Sequence, residues 1–187
     1  MWPDVVLAMG AIGRYVVAGG QSWAWQVYWA VFAHTQWPCA YAHSEASLRR
    51  VLAERPARYV FFVHWSSFVV PAITDAYECV NFHCTALPYG RGGHPIENLI
   101  LRGATETVLT AYRMTEELDA GPIYAVSPPV SLAGSKEAIL RRFVEPVADL
   151  MRYIIETEPL PRPQVGAVER FHRLPIAEAE ALWASRS

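Results

Sequence analysis

The stretch RYVVAGGQSWAWQVYWAVF, residues 14–32, decides how the fold is read. A β-branched run ends in two glycines, and the residues after it carry apolar side chains at the three- and four-residue spacing of a helix. Strand, glycine turn and helix in that order open an α/β sheet. The alternation continues downstream. Residues 39–42 read as a weak second strand. Residues 44–54 read as a helix capped by Ser44, with Leu48, Val51 and Leu52 on its apolar side. YVFFV at 59–63 is an unbroken apolar run, as in a strand covered on both faces. A short helix at 71–76, a strand at 79–83 and a helix at 95–101 follow, the last opened by Pro95. Two further strands are expected at 106–114 and 122–126. Residues 135–156 form the longest helix, with Ile139, Phe143, Val147, Leu150 and Ile154 along one side. Pro146 within it predicts a kink or a break. A proline-rich extended tail then leads to a short helix near Trp183. The expected fold is α/β: a doubly wound, mostly parallel, Rossmann-like sheet. A single domain is expected over 1–187, with a short C-terminal extension from about 159.

Length and composition narrow the function. The chain has 187 residues, 52% apolar and 18% charged, which is incompatible with intrinsic disorder. Sixteen basic residues against eighteen acidic ones give a formal charge of −2, so binding nucleic acid by bulk electrostatics is not expected. Cys39, Cys79 and Cys84 are odd in number and lack CxxC spacing, which suggests reduced thiols and a cytoplasmic setting. The apolar start lacks a basic leader region, and Met9 is an alternative first residue. No run reaches the roughly 20 apolar residues of a membrane span. The six histidines show no metal-ligand spacing, so no metal is expected.

Ligands of open α/β sheets sit beyond the carboxyl ends of the strands. Two such ends carry chemistry: residues 81–93 and 117–121. Asn81 and His83 are two apart on a strand and point to one side. The loop LPYGRGG after them lets backbone approach a ligand closely. Asp119 sits in LDAGP, a turn in which Gly121 is expected to take a positive φ. An amide, an imidazole and a carboxylate are the parts needed for acyl transfer to an amine: a donor to the oxyanion, a proton acceptor and an orienting group. Cys84 beside His83 faces the other way, which makes a Cys–His dyad geometrically poor. Gly19-Gly20 reads equally as a phosphate cradle or as a plain turn. The tryptophan-rich first helix reads as core or as a dimer surface.

NFHCTALPYGRGGHPIENLILRGATETVLTAYRMTEELDAGPIY, residues 81–124, resembles the core of the 10-formyltetrahydrofolate-dependent formyltransferases. The shared pattern is Asn81-x-His83, Leu87-Pro88, Arg91-Gly92, Pro95-Ile96 and Leu118-Asp119-x-Gly121. The resemblance implies a catalytic triad of Asn81, His83 and Asp119. It implies that N10-formyltetrahydrofolate, the co-substrate, lies against Trp65, Phe68, Val69, Val70, Thr85, Ala86, Leu87, Pro88, Glu117 and Leu118. It places Tyr89, Arg91, Gly92 and His94 toward the acceptor; for Arg91 and His94, pinning the loop is the alternative. The family often has Gly where Val108 stands and Thr where Ala120 stands, both outside the triad.

Within the family, the methionyl-tRNA enzymes carry an additional C-terminal barrel for which this chain has no room. The glycinamide ribonucleotide enzymes resemble it less in the loop after Leu87-Pro88. The string FHCTALPYGRGGHPIENLI is most similar to short sugar N-formyltransferases of pseudaminic-acid-type nucleotide-sugar pathways. The expected acceptor is then the amine of a UDP-4-amino-4,6-dideoxy-N-acetylhexosamine. The partners are that nucleotide-linked sugar and, through the apolar/polar alternation of residues 168–174, a second copy of the chain; neither nucleic acid nor a membrane is expected. The alternatives are glycinamide ribonucleotide formylation in purine synthesis and a non-catalytic folate- or nucleotide-binding module.

Overall fold

The structure, a computed structural model, describes residues 15–54, 56–65 and 69–186. The elements run β1 (Tyr15–Ala18), α1 (Ser22–Phe32), β2 (Cys39–Ala42), α2 (Glu45–Glu54), β3 (Tyr59–Phe62), α3 (Pro71–Thr74), β4 (Glu78–His83), β5 (Arg91–Gly92), α4 (Pro95–Leu101), β6 (Glu106–Thr107), β7 (Thr110–Arg113), β8 (Ile123–Val126), β9 (Val130–Ser131), α5 (Lys136–Thr157), β10 (Arg170–Phe171) and α6 (Ile176–Ala184). Arg14, expected to open the first strand, and Phe68 lie outside the described residues.

Six strands form one sheet in the order β2-β1-β3-β4-β7-β8. The first four are parallel, and β7 runs antiparallel to both β4 and β8. The expected mostly parallel sheet is therefore present, with one strand reversed. The segment between β4 and β7 carries β5, α4 and β6 and returns the chain to the end of the sheet where β4 left it.

Both faces are covered. Helices α1 and α5 pack together on one side over Tyr15, Val17, Phe61 and Val80. On the other side Leu48 and Leu52 of α2 and Ile73 of α3 cover Val16, Ala18, Val60 and Phe62. All four residues of β3 are buried, as its unbroken apolar run requires. The α5 side chains Ile139, Phe143, Val147, Leu150 and Ile154 are all buried. Ser135 caps α5 by accepting from the Ala138 N–H, and the helix passes Pro146 without a break. Ser44 caps α2 through the Ser47 N–H.

Within residues 168–174, β10 pairs with β5 and Phe171 is buried, while Val168 is exposed. Two expectations are corrected. Residues 106–114 are two short strands, β6 paired with β9 and β7 in the main sheet. The left-handed residue of the LDAGP turn is Asp119, at φ 54°, and not Gly121. Gly121 is required for space, because a Cβ there would lie 1.7 Å from the Arg113 carbonyl oxygen. Backbone cannot yield as a flexible side chain can, so Gly121→Ala is expected to cost about 1–3 kcal/mol. The check is the midpoint of urea unfolding, which should fall at constant slope. An unchanged midpoint would show that the turn can shift aside.

Candidate active site

Asn81 and His83 lie on β4, and register places Asn81 beside Tyr112 of β7. Alternation along β4 sends Asn81 and His83 to the face of Phe62, where α2 and α3 cover β1 and β3. Over β4 and β7 the loop that follows β7 folds back and delivers Asp119. The expected trio thus meets on one face, and it is joined there by a residue the sequence reading missed. The Asn81 side-chain Nδ2 donates to the Tyr112 hydroxyl at 2.9 Å, and that hydroxyl donates to Asp119 Oδ1 at 2.6 Å. Asp119 Oδ2 accepts the Gly92 N–H at 2.8 Å and faces His83 Nδ1 at 3.7 Å. His83 and Asp119 are both buried.

The imidazole has a definite polarity. Its Nε2 lies 2.8 Å from the Gly90 carbonyl oxygen. A carbonyl only accepts, so Nε2 carries the hydrogen and Nδ1, on the Asp119 side, is the position that can take up a proton. Gly92 makes the Asp119 contact possible. Its φ is 117°, and a Cβ would stand 2.2 Å from the Phe171 carbonyl oxygen of β10.

The tail locks this loop. Gln164 donates through Nε2 to the carbonyls of Asp119 and Gly121, both at 2.8 Å, and its Oε1 accepts from Arg91. Arg91, buried and paired also with Glu117, holds the tail, as does His94, whose Nδ1 accepts the Leu174 N–H at 3.1 Å. Tyr89 packs edge-on against Phe171. No short sequence pattern marked Tyr112 or Gln164. The period-two alternation of β7 was the one available signal for Tyr112, since it predicts which residues share the Asn81 face.

An apolar surface lies on the same face. Trp65, Val70 and Met114 are partly buried against Val69 and Ile73. Trp65 Nε1 and Thr85 Oγ1 are buried polar atoms without a hydrogen-bond partner among the described residues. Ala86 is exposed, Leu87 and Pro88 are buried, and Leu118 is 63% exposed at the rim beside Glu117. A separate cleft of about 330 Å³ is lined by Ala86, Tyr89, Thr107 and Val108 among others, but not by the trio. Burial pushes the Cys84 thiol up to about 12, which leaves no thiolate for a nucleophile. No group of three or more metal-ligating side chains occurs among the described residues, and no helix there is long and apolar enough to cross a membrane.

Residues 22–152 match the formyl transferase family. The chain belongs to that family. Among relatives of this formyl transferase is the methionyl-tRNA formyltransferase of Thermobifida fusca, 36% identical over 93 residues. The match covers 47% of this chain and 30% of the relative, so the chain spans about a third of that protein's length. The methionyl-tRNA formyltransferase of Clostridium thermocellum has a similar structure, with a TM-score of 0.81 and 26% identity over 87% of this chain and 73% of that one. An N-formyltransferase of Helicobacter canadensis, solved with folinic acid and dTDP-3-aminofucose, shares the fold at a TM-score of 0.64 and 15% identity, covering 86% of this chain and 71% of that one. The formyl transferase fold expected from residues 81–124 is thus present over the greater part of the chain.

Proposed function

We propose that this formyl transferase moves a formyl group from N10-formyltetrahydrofolate to the primary amine of a nucleotide-linked amino-deoxy sugar. The observation that carries the transfer chemistry is the meeting of Asn81, His83 and Asp119 on one sheet face. The amine nitrogen attacks the formyl carbon, and the bond from that carbon to the folate nitrogen breaks. Asn81 donates an N–H to the oxygen as negative charge develops on it. His83 Nδ1 takes the proton the amine loses and passes it to the folate nitrogen as that nitrogen leaves. Asp119 faces the imidazolium so formed. Trp65, Val69, Val70 and residues 85–88, with Glu117 and Leu118 at the rim, are the folate wall. Tyr89, Arg91, Gly92 and His94 border the acceptor, Arg91 and His94 through the loop they pin. A folate donor and three free cysteines suit a cytoplasmic setting.

The sugar acceptor is supported by the string at 82–100 and by the presence of sugar N-formyltransferases among the proteins that share the fold. A second reading, formylation of methionyl-tRNA, is favoured by the sequence identity to enzymes of that name. The readings separate in one assay. The chain is incubated with N10-formyltetrahydrofolate and, in turn, a UDP-linked 4-amino sugar, a dTDP-linked amino sugar, glycinamide ribonucleotide and methionyl-tRNA. Mass spectrometry then looks for one added formyl group. A product from either sugar alone supports the proposal. Product only from methionyl-tRNA, or only from glycinamide ribonucleotide, replaces the acceptor. Folate binding without product from any amine sinks the transfer itself.

A further inference from the structure

We propose that Tyr112 is a positioning residue of this centre, its hydroxyl joining the Asn81 amide to the Asp119 carboxylate and aiming both. The inference rests on the reading that Asn81 and Asp119 serve formyl transfer, and it adds a fourth residue to their machinery.

The hydrogen-bond chain has one self-consistent direction. Asn81 Oδ1 accepts the Phe82 N–H at 2.9 Å, while Nδ2 donates to Tyr112 at 2.9 Å. Rotating the amide by half a turn would set its NH₂ against the Phe82 N–H, donor against donor, so the amide is held in one orientation. The Tyr112 hydroxyl has a single hydrogen. Having accepted from Asn81, it gives that hydrogen to Asp119 Oδ1 at 2.6 Å. The second carboxylate oxygen is thereby left for the Gly92 N–H and for His83 Nδ1. The second N–H of the Asn81 amide has no protein partner among the described residues, and its direction is fixed by the first.

Two features suit the phenol to this work. Tyr112 is 2% exposed and sits in β7 directly opposite Asn81, so its ring cannot swing away without disturbing the sheet. Burial, and then the Asp119 charge, push its hydroxyl well above the usual phenol range. It therefore remains a protonated donor wherever the enzyme works. A phenol with only a packing role would need one acceptor; this one also accepts, and both partners belong to the trio.

The test is Tyr112→Phe in the full chain, read three ways. With the acceptor that the wild type formylates, kcat is expected to fall about 10–100-fold, the effect of losing a hydrogen bond to a charged group. KM for donor and acceptor should change by less than about threefold. In the Asp119→Asn background, Tyr112→Phe should slow turnover by clearly less than it slows the wild type, because the Asp119 half of the link is already broken. Independently of turnover, NMR hydrogen exchange of the Asn81 side-chain amide should accelerate at least about tenfold, while the backbone amides of β4 and β7 keep their protection. If Y112F fails to fold, 4-fluorophenylalanine at position 112 fills the same space without an O–H and takes its place. Wild-type kcat, additivity with Asp119→Asn, or an unchanged Asn81 exchange rate would each overturn the proposal. A wild type inactive on every amine would strike the functional reading instead, and the exchange experiment would still decide the Tyr112 link.

Discussion

Turnover of the His83→Asn variant is expected to fall roughly 10²–10⁴-fold, with the protein still folded. In the proposed chemistry the imidazole combines two tasks on two nitrogens. Nε2 is tied to the Gly90 carbonyl, which fixes the ring, and Nδ1 is left as the proton acceptor toward Asp119. An asparagine can offer an N–H to Gly90, so the structural bond is the easier one to replace. It has no nitrogen lone pair that accepts a proton at neutral pH, so the amine would keep its proton at the moment of attack. Initial rates at saturating donor and acceptor measure the loss, and urea unfolding checks the fold. A rate within a few-fold of wild type in a folded variant would remove His83 from the proposed chemistry and leave only its contact with the 90–92 loop.

Asp119→Asn should slow the reaction on a similar scale, roughly 10²–10⁴-fold, for a different reason. Both carboxylate oxygens are acceptors, one for the Tyr112 hydroxyl and one for the Gly92 N–H. An amide supplies only one oxygen, so its NH₂ must confront one of those donors. The Tyr112 O–H can rotate away; the backbone N–H of Gly92 cannot. The expected arrangement keeps the oxygen on Gly92 and breaks the link to Tyr112. The negative charge facing His83 disappears as well, and with it the stabilisation of the imidazolium that the proposed transfer would form. The measurement is kcat with both substrates saturating, alongside a crystal structure of the variant. A variant that retains wild-type turnover with its side chain in the same place would show that neither the charge nor the Tyr112 link matters.

Much of the architecture was legible because local pattern and burial agreed. The YVFFV run became a strand covered on both faces, and the apolar stripe of α5 became its buried side. That Asn81 and His83 share a face was legible because period-two alternation is reliable within a strand. Strand direction was less legible. The reversal at β7 is set by the end of the sheet to which the chain returns, which periodicity within a strand does not report. The fine anatomy of the Asp119 turn was misread for a related reason. Glycine at a turn suggests a positive φ, whereas Gly121 answers to a carbonyl eight residues away, and the aspartate takes the left-handed conformation. Tyr112 and Gln164 escaped notice because each acts through a partner brought close only by the fold: Asn81, 31 positions before Tyr112, and Asp119, 45 before Gln164. Arg91 and His94 were placed between two roles, and in the structure both hold the tail.

That tail carries a consequence for biosynthesis. Gln164 and the β10 pairing at Arg170–Phe171 clamp the loops bearing Asp119 and Gly92, although every member of the trio is encoded before residue 120. Ribosomes deliver a chain from its N-terminus at roughly 5–20 residues per second. A nascent polypeptide that has emerged through α5 holds the sheet and all three side chains of the trio, yet lacks the clasp that sets their loops. The trio and its clasp are therefore made at separate times in translation, and ribosome-bound intermediates halted before residue 164 are expected to be inert.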